Sequence, residues 1–318
     1  MNFSHVMQGV ARAGAALTIV AAIIGGTATP GMAQSATTAT TTAKATQPVE
    51  SKERIVSLNG GNTEVLFALG LGDQIVGRDL SSSYPPEANE LPSVGYQFQL
   101  NAEGILSLKP TIVIGRADVK PSTVIDQLRA AGVRVELLDE PTTFDGAKDR
   151  IMTLGTLLDR EPQAMKLVEG LEADIQKYAE RRAELGDKAK KKGLFIYMRG
   201  PKMINILGVD TAPGAMLETI GVDYALKNAR SMVPVTAESI IAASPEVIVL
   251  FTHGLESVGG VEGFLKVPGI AQTPAGKNRR IVAVDDSYLG NFTHRVGKAA
   301  LDVLNALQAE GVVTVQGR

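Results

Sequence analysis

Short β-branched runs alternate with helical spacing at both ends of this chain, and a long purely helical stretch separates the two regions. In the first region, residues 54–58, 74–77, 111–115 and 133–138 are apolar runs bounded by Gly, Pro or Asn, the mark of short buried strands. Helices fall between them. One spans 64–69, opened by Thr63 as N-cap after the Asn59–Gly60–Gly61–Asn62 turn and closed by Gly70. A second spans 102–108 and is stopped by Pro110, and a third spans 122–131 and is closed by Gly132. From 143 to 192 strand signals vanish. Leu154, Leu157, Leu158, Leu167, Leu171 and Ile175 recur at helical spacing, interleaved with charges, and Pro162 divides the stretch into two helices. The second of these, 163–185, is long for a globular helix. The basic run from Lys188 to Lys192 reads as its solvated end.

Alternation then resumes. Strands are expected at 194–198, 246–251 and 280–284, and helices at 214–221, 237–243 (N-capped by Thr236), 263–266 and 295–309. Alternating strand and helix implies a mostly parallel sheet in each region. The pattern therefore predicts an α/β lobe over 51–142, a bridging helical segment over 143–192 and a second α/β lobe over 193–318, with a cleft between the lobes. A single helical connector should restrict large hinge motion.

The N-terminus adds a compartment. Residues 15–24 are an apolar run too short to span a bilayer, and Gly31–Met32–Ala33 is a small-residue cleavage site, so 1–33 reads as a signal peptide. Residues 34–50 are a Thr/Ala-rich tract without core-forming side chains, read as a disordered linker. The chain has no cysteine, which excludes disulfides, thiolate chemistry and a lipidated N-terminus. Its formal net charge of −2 argues against a nucleic-acid role, which would leave a basic footprint. No phosphate loop, HExxH or recognisable Ser/His/Asp frame is present, so no enzyme is expected. Tryptophan is absent and aromatics make up 4% of the chain, so each placed Tyr or Phe carries weight.

Several segments carry a resemblance. RIVSLNGGNTEVLFALGLGDQIVG, SSSYPPEANELPSVGY and LNAEGILSLKPTIVI in the first region, with VTAESIIAASPEVIVL and LGNFTHRVGKA in the second, resemble the substrate-binding proteins of bacterial ABC importers for heme, cobalamin and ferric siderophores. Within that class the chain looks most like the periplasmic hemin-binding branch. The resemblance implies two Rossmann-like lobes bridged by one long helix. It implies ferric protoporphyrin IX as transported ligand, an ABC permease and its ATPase as partners, an outer-membrane heme receptor upstream, and a periplasmic monomer. The alternatives are a cobalamin or ferric-siderophore carrier of the same class and, from another class, an exported α/β enzyme or surface module.

The same resemblance points to residues. In the hemin branch the Tyr of a Gly-Tyr-x-(Arg/Lys) motif is the axial iron ligand, and Tyr96 matches it, although position 98 holds Phe98 in place of the basic residue. A phenolate is a hard anionic donor suited to ferric iron. His253 follows a strand end, where α/β clefts bind ligands, as either a hydrogen-bond partner of the Tyr96 oxygen or a second iron ligand. Arg295, beside His294, matches a family Arg and either pairs a heme propionate or begins the last helix. Met198 and Arg199 end the first strand of the second lobe, and Tyr84 is placed at the cleft mouth. Glu103 and Glu238 each sit early in a helix. They either complement the helix dipole or, as the family implies, dock one lobe each against permease arginines.

Overall fold

The structure is a computed structural model that describes residues 52–317; the expected signal peptide and linker lie outside them. In the first lobe, strands β1 (Ile55–Leu58), β2 (Ile75–Arg78), β3 (Ile112–Arg116) and β4 (Arg134–Leu138) form a parallel sheet in the order β2-β1-β3-β4. Helices α1 (Gly60–Ala68), α2 (Ala102–Ser107) and α3 (Ser122–Ala130) lie in the connections between them. The two central strands are buried on both faces, hence their unbroken apolar runs.

Two helices follow, α4 (Phe144–Leu157) and α5 (Glu161–Leu185). Pro162 lies in the first turn of α5, where its missing N–H has no intrahelical partner to lose. At 25 residues, α5 runs about 37 Å. It buries Ala164, Leu171 and Tyr178, packing against α4 on one side and the last helix of the chain on the other.

The second lobe contains β5 (Lys191–Met198), β6 (Ile204–Leu207), α6 (Ala212–Thr219), β7 (Val222–Tyr224), β8 (Met232–Pro234), α7 (Ala237–Ala243) and β9 (Val247–Phe251). After these come α8 (Thr252–Glu256), α9 (Gly260–Leu265), α10 (Pro274–Lys277), β10 (Ile281–Val284), α11 (Asp286–Gly290), α12 (Val296–Ala306) and β11 (Val312–Val315). The sheet order is β11-β10-β9-β5-β6-β8, with β7 against β5. Its β11-β10-β9-β5 half is parallel, while β6 and β8 add antiparallel pairs. Among the described residues no helix is long and apolar enough to cross a membrane.

The structure corrects three expectations. The first helix starts at Gly60, not 64, because the Asn59 side chain accepts from the Asn62 N–H at 3.1 Å and displaces Thr63 as cap. Both glycines of that turn are pressed by neighbours: a Cβ on Gly61 would lie 2.0 Å from Arg150 Nη1, and one on Gly60 2.8 Å from the Ser81 carbonyl. Strand β5 begins at Lys191, inside the stretch read as bridging, so part of the lysine run belongs to the sheet. Strands β6, β7, β8 and β11 were not expected; all are three or four residues long.

A candidate ligand cleft between the two sheets

The strand carboxyl ends of both lobes converge on one cavity of about 520 Å³. Leu80, Ser81 and Ser83, following β2, form one wall; Arg199, Phe251, His253 and Asp286, following β5, β9 and β10, form the other. This is where α/β sheets bind ligands, and the volume suits a small molecule.

The first wall is a loop held from below. Asp79 is fully buried and accepts from the Ser81 N–H at 3.0 Å and the Ser82 hydroxyl at 2.6 Å. Burial pushes its carboxyl above the ordinary range, against these hydrogen bonds, which pull it down. Ser82 also meets the Thr63 hydroxyl at 2.7 Å, which ties the loop to α1. The Leu80 N–H donates to the Gly95 carbonyl at 2.9 Å, which sets the turn carrying Tyr96 beside Leu80. Gly95 has φ 93°, a left-handed conformation that glycine adopts without a Cβ penalty. The Tyr96 carbonyl then accepts from Gln99 N–H at 2.7 Å and closes the turn. Leu80 is 59% exposed and Tyr96 44%, so an apolar side chain and a phenol stand open at the rim. The Tyr96 ring meets Phe98 edge-on, centroids 5.2 Å apart.

Opposite, His253 Nδ1 pairs with the Asp286 carboxylate, and the His253 ring stacks on Phe251. Burial raises the Asp286 carboxyl to about 6, partly offset by the charge of His253. His253 Nε2 is buried and without a partner. His253 thus lines the cavity with Nδ1 held by Asp286 and Nε2 covered, and its ring forms part of the polar wall. Arg199 is exposed at that wall and lies 5.9 Å from the Tyr197 ring centroid.

Three other expectations change. Met198 is 1% exposed and packs in the second lobe's core with Ile196, Ile248 and Leu250, because alternation along β5 turns it inward. It cannot touch a cleft ligand. Arg295 is 8% exposed and already paired: its Nε and Nη2 donate to Glu64 at 2.6 and 2.8 Å, and its guanidinium lies 3.6 Å from the Tyr84 ring centroid. It is a buried structural cation, not an open partner for a propionate, and Tyr84 serves as its lid. His294 sits beside the pair, with Nδ1 3.9 Å from Glu64. Burial lowers its pKa, the Glu64 charge opposes, and Arg295 adds to the lowering, so it stays neutral near pH 7.

Glu64 was not singled out by the sequence analysis. It is 1% exposed on α1 and accepts from Arg295, Thr293 and Asn291 of the other lobe. Nearby, the Arg150 guanidinium donates to the Asn291 carbonyl at 2.8 Å and pairs with Glu140 at 2.8 Å. Together these form a polar seam joining the lobes beneath the cleft. A lone acid inside the apolar GGNTEVLFAL run was the one available signal.

Glu103 and Glu238 are exposed in the first turns of α2 and α7. On α7 the capping box is made by Thr236 and Ser239, and on α2 the cap is Asn101, so neither glutamate is used as a cap. Among the described residues neither carboxylate is placed in an ion pair.

Residues 55–288 match the model of the periplasmic binding protein family. The periplasmic heme-binding protein RhuT of Roseiflexus sp. RS-1, in apo form, superposes with a TM-score of 0.76 at 40% identity, covering 81% of this chain and 98% of that one. The periplasmic heme-binding protein HutB of Vibrio cholerae gives 0.71 at 34% identity, covering 81% and 99%. In sequence, an uncharacterized ABC transporter substrate-binding lipoprotein, YvrC of Bacillus subtilis, is 30% identical over 235 residues, 73% of each chain. These relatives are transport proteins, which sets aside the reading of an exported enzyme or surface module. The two sheets, the helix between them and the match across most of the described chain agree: the protein belongs to the periplasmic binding protein family.

Proposed function

We propose that this chain captures ferric heme in the cleft, holds its iron through the Tyr96 phenolate, and delivers it to an ABC permease and its ATPase. The observation that carries the reading is the rim of the first lobe. There an open phenol stands beside an open leucine, in a chain with few aromatics. Leu80 offers the porphyrin face an apolar contact, Tyr96 offers iron a hard anionic donor, and Arg199 offers the propionates an exposed cation. The similarity to two heme-binding structures at 40% and 34% identity supports heme over cobalamin or a siderophore.

Delivery would use Glu103 and Glu238, one exposed carboxylate per lobe, against basic residues of the permease. The protein would work in the periplasm as a monomer, after removal of residues 1–33, downstream of an outer-membrane heme receptor. The test is a hemin titration followed by absorbance. The expected result is a saturable Soret change with a phenolate-type ferric spectrum that Tyr96→Phe removes. An unchanged affinity and spectrum in Tyr96→Phe would sink the assignment.

A further inference from the structure

The second lobe carries an apolar surface outside the cleft. Of the eight large apolar side chains that stand exposed among the described residues, four are Met203, Met232, Val233 and Ile241. Asn205 pairs with Pro234 and Leu207 with Met232 across β6 and β8, so alternation puts Met203, Asn205, Met232 and Pro234 on one face. β8 ends the strand order, so this face stands at the rim of the sheet. These side chains line a groove of about 640 Å³, which Ala237, Val267 and Pro268 close on the other side. That side is close-packed: Gly269 has φ 91°, and a Cβ there would lie 2.8 Å from the Ala237 carbonyl oxygen, so the loop presses onto the start of α7.

A charge without a partner stands beside the groove. Glu238 follows Ala237 in the first turn of α7 and is exposed. Ile241 lies one turn beyond Ala237 on the same side of the helix, so exposed apolar surface continues past the carboxylate. Lys202 also lines the groove, so its rim carries both signs. On α2 of the first lobe the exposed residues are Glu103, Gly104 and Ser107, so α2 presents its carboxylate with no apolar surface of its own.

We propose that this groove is the apolar half of the second lobe's docking surface, and that it seats an apolar side chain of the ABC permease next to a basic residue held by Glu238. It rests on the reading of Glu238 as a docking contact. Two observations favour this occupant over a second copy of the chain. The open carboxylate calls for a base at the edge of the groove. The groove also shares a turn with the ligand cavity. Residues 199–203 join β5 to β6, with Arg199 on the cavity wall and Met203 in the groove. The Arg199 N–H donates to the Met203 carbonyl at 3.0 Å, and the Gly200 N–H donates to the Ser257 hydroxyl at 2.8 Å, just beyond the helix that carries His253. A partner seated on Met203 therefore bears on the turn that holds Arg199 at the cleft, as delivery of a cargo requires and self-association does not. Methionine suits the contact, because its unbranched thioether chain adapts to the side chain it meets.

The experiment measures binding of the full chain to the permease and its ATPase in lipid nanodiscs, beside a hemin titration of the chain alone. Met203→Ser with Met232→Ser is expected to weaken permease binding by about tenfold or more and to leave hemin affinity at the parental value. Met203→Leu with Met232→Leu, which keeps the surface apolar, should bind the permease like the parent. So should Met165→Ser, which removes an exposed methionine from α5 instead. Glu238→Gln should weaken permease binding as the serine pair does. Far-UV circular dichroism and Tm verify that each variant folds. If the serine pair binds the permease like the parent while Glu238→Gln does not, the groove has no part in docking and the reading of Glu238 stands. If Glu238→Gln and Glu103→Gln are both silent, the docking reading itself has failed, and the groove's role with it. Loss of hemin affinity in the serine pair would mean that the turn serves the cleft, which overturns the proposal. Sedimentation showing a parent that self-associates and a serine pair that does not would make the groove a contact between copies, which overturns it too.

Discussion

Glu64 gives the sharpest test of how the lobes are held together. Its carboxylate is 1% exposed and receives two charge-assisted bonds from Arg295, one from the Thr293 hydroxyl and a longer one from Asn291 at 3.3 Å. Glu64→Ala would leave Arg295, itself 8% exposed, as a buried cation without its counter-charge. Removing one partner of such a pair costs about 3–5 kcal/mol, most of it the penalty of stranding the other charge. For a domain of this size, at ~2–4 °C per kcal/mol, that lowers Tm by about 6–20 °C. Glu64 lies in the first lobe and Arg295 in the second, so the loss should also split one cooperative transition into two. Replacing both residues, as Glu64→Leu with Arg295→Met, should recover much of the loss, since no charge is then stranded. Urea and calorimetric melts of the two single variants and the double variant decide it. Single-variant losses below about 1 kcal/mol, or losses that simply add in the double variant, would show that the seam is not a buried pair and refute the reasoning.

Gly61→Ala should cost about 2–4 kcal/mol in urea melts, because its Cβ would fall 2.0 Å from Arg150 Nη1 and displace the buried bond to the Asn291 carbonyl; Gly70→Ala, with nothing within 4 Å, isolates the effect of φ 77° from that of crowding. Asp286 binds its proton more tightly folded, at about 6, than in the unfolded chain. The stability it contributes is therefore full below the ordinary carboxylate range and lost as pH rises through about 6. Asp286→Asn should flatten the stability curve between about pH 4 and 6, and an unaltered curve would contradict the assignment. Glu103→Arg with Glu238→Arg should abolish heme delivery to permease-containing vesicles while hemin affinity stays at the parental value; loss of both would mean that the helices, not the docking, were damaged.

The long elements were legible because their signals are local. Residues 55–58 and 112–116 carry β-branched runs buried on both faces, and α5 spans seven turns with an apolar stripe. What escaped was set by tertiary contact. Strand β8 is three exposed residues ending in Pro234 at a sheet edge, with no period to read. The Asn59 cap was hidden by two glycines that look like a turn until Arg150 and Ser81 press on them. For the proposed site, Tyr96 was singled out by its neighbours along the chain, and it stands exposed on a turn beside Leu80. The Glu64–Arg295 pair could not be found that way, because its partners are 231 residues apart and each looks alone like an ordinary helix-start charge. Arg295 was read from the family match as either a propionate partner or the start of the last helix; it does stand at the start of α12, and its buried partner Glu64 occupies the guanidinium.

The seam also bears on how the cleft works. Inter-lobe contacts made only of exposed side chains would let the lobes part at little cost. Here the joint contains a buried ion pair, the Arg150–Asn291 bond and a 25-residue helix packed against α4 of one side and α12 of the other. Opening by rigid-body rotation would expose Glu64 and Arg295 to rehydration but would also break four bonds to Glu64 at once. The cheaper motions lie at the rim, where Leu80 and Tyr96 are exposed and the turn is held by single backbone hydrogen bonds such as Leu80 N–H to Gly95. Ligand entry and exit should therefore move the rim loops more than the lobes, so emptying the cleft calls for acting on the loops directly or pulling hard enough on both lobes to break the seam.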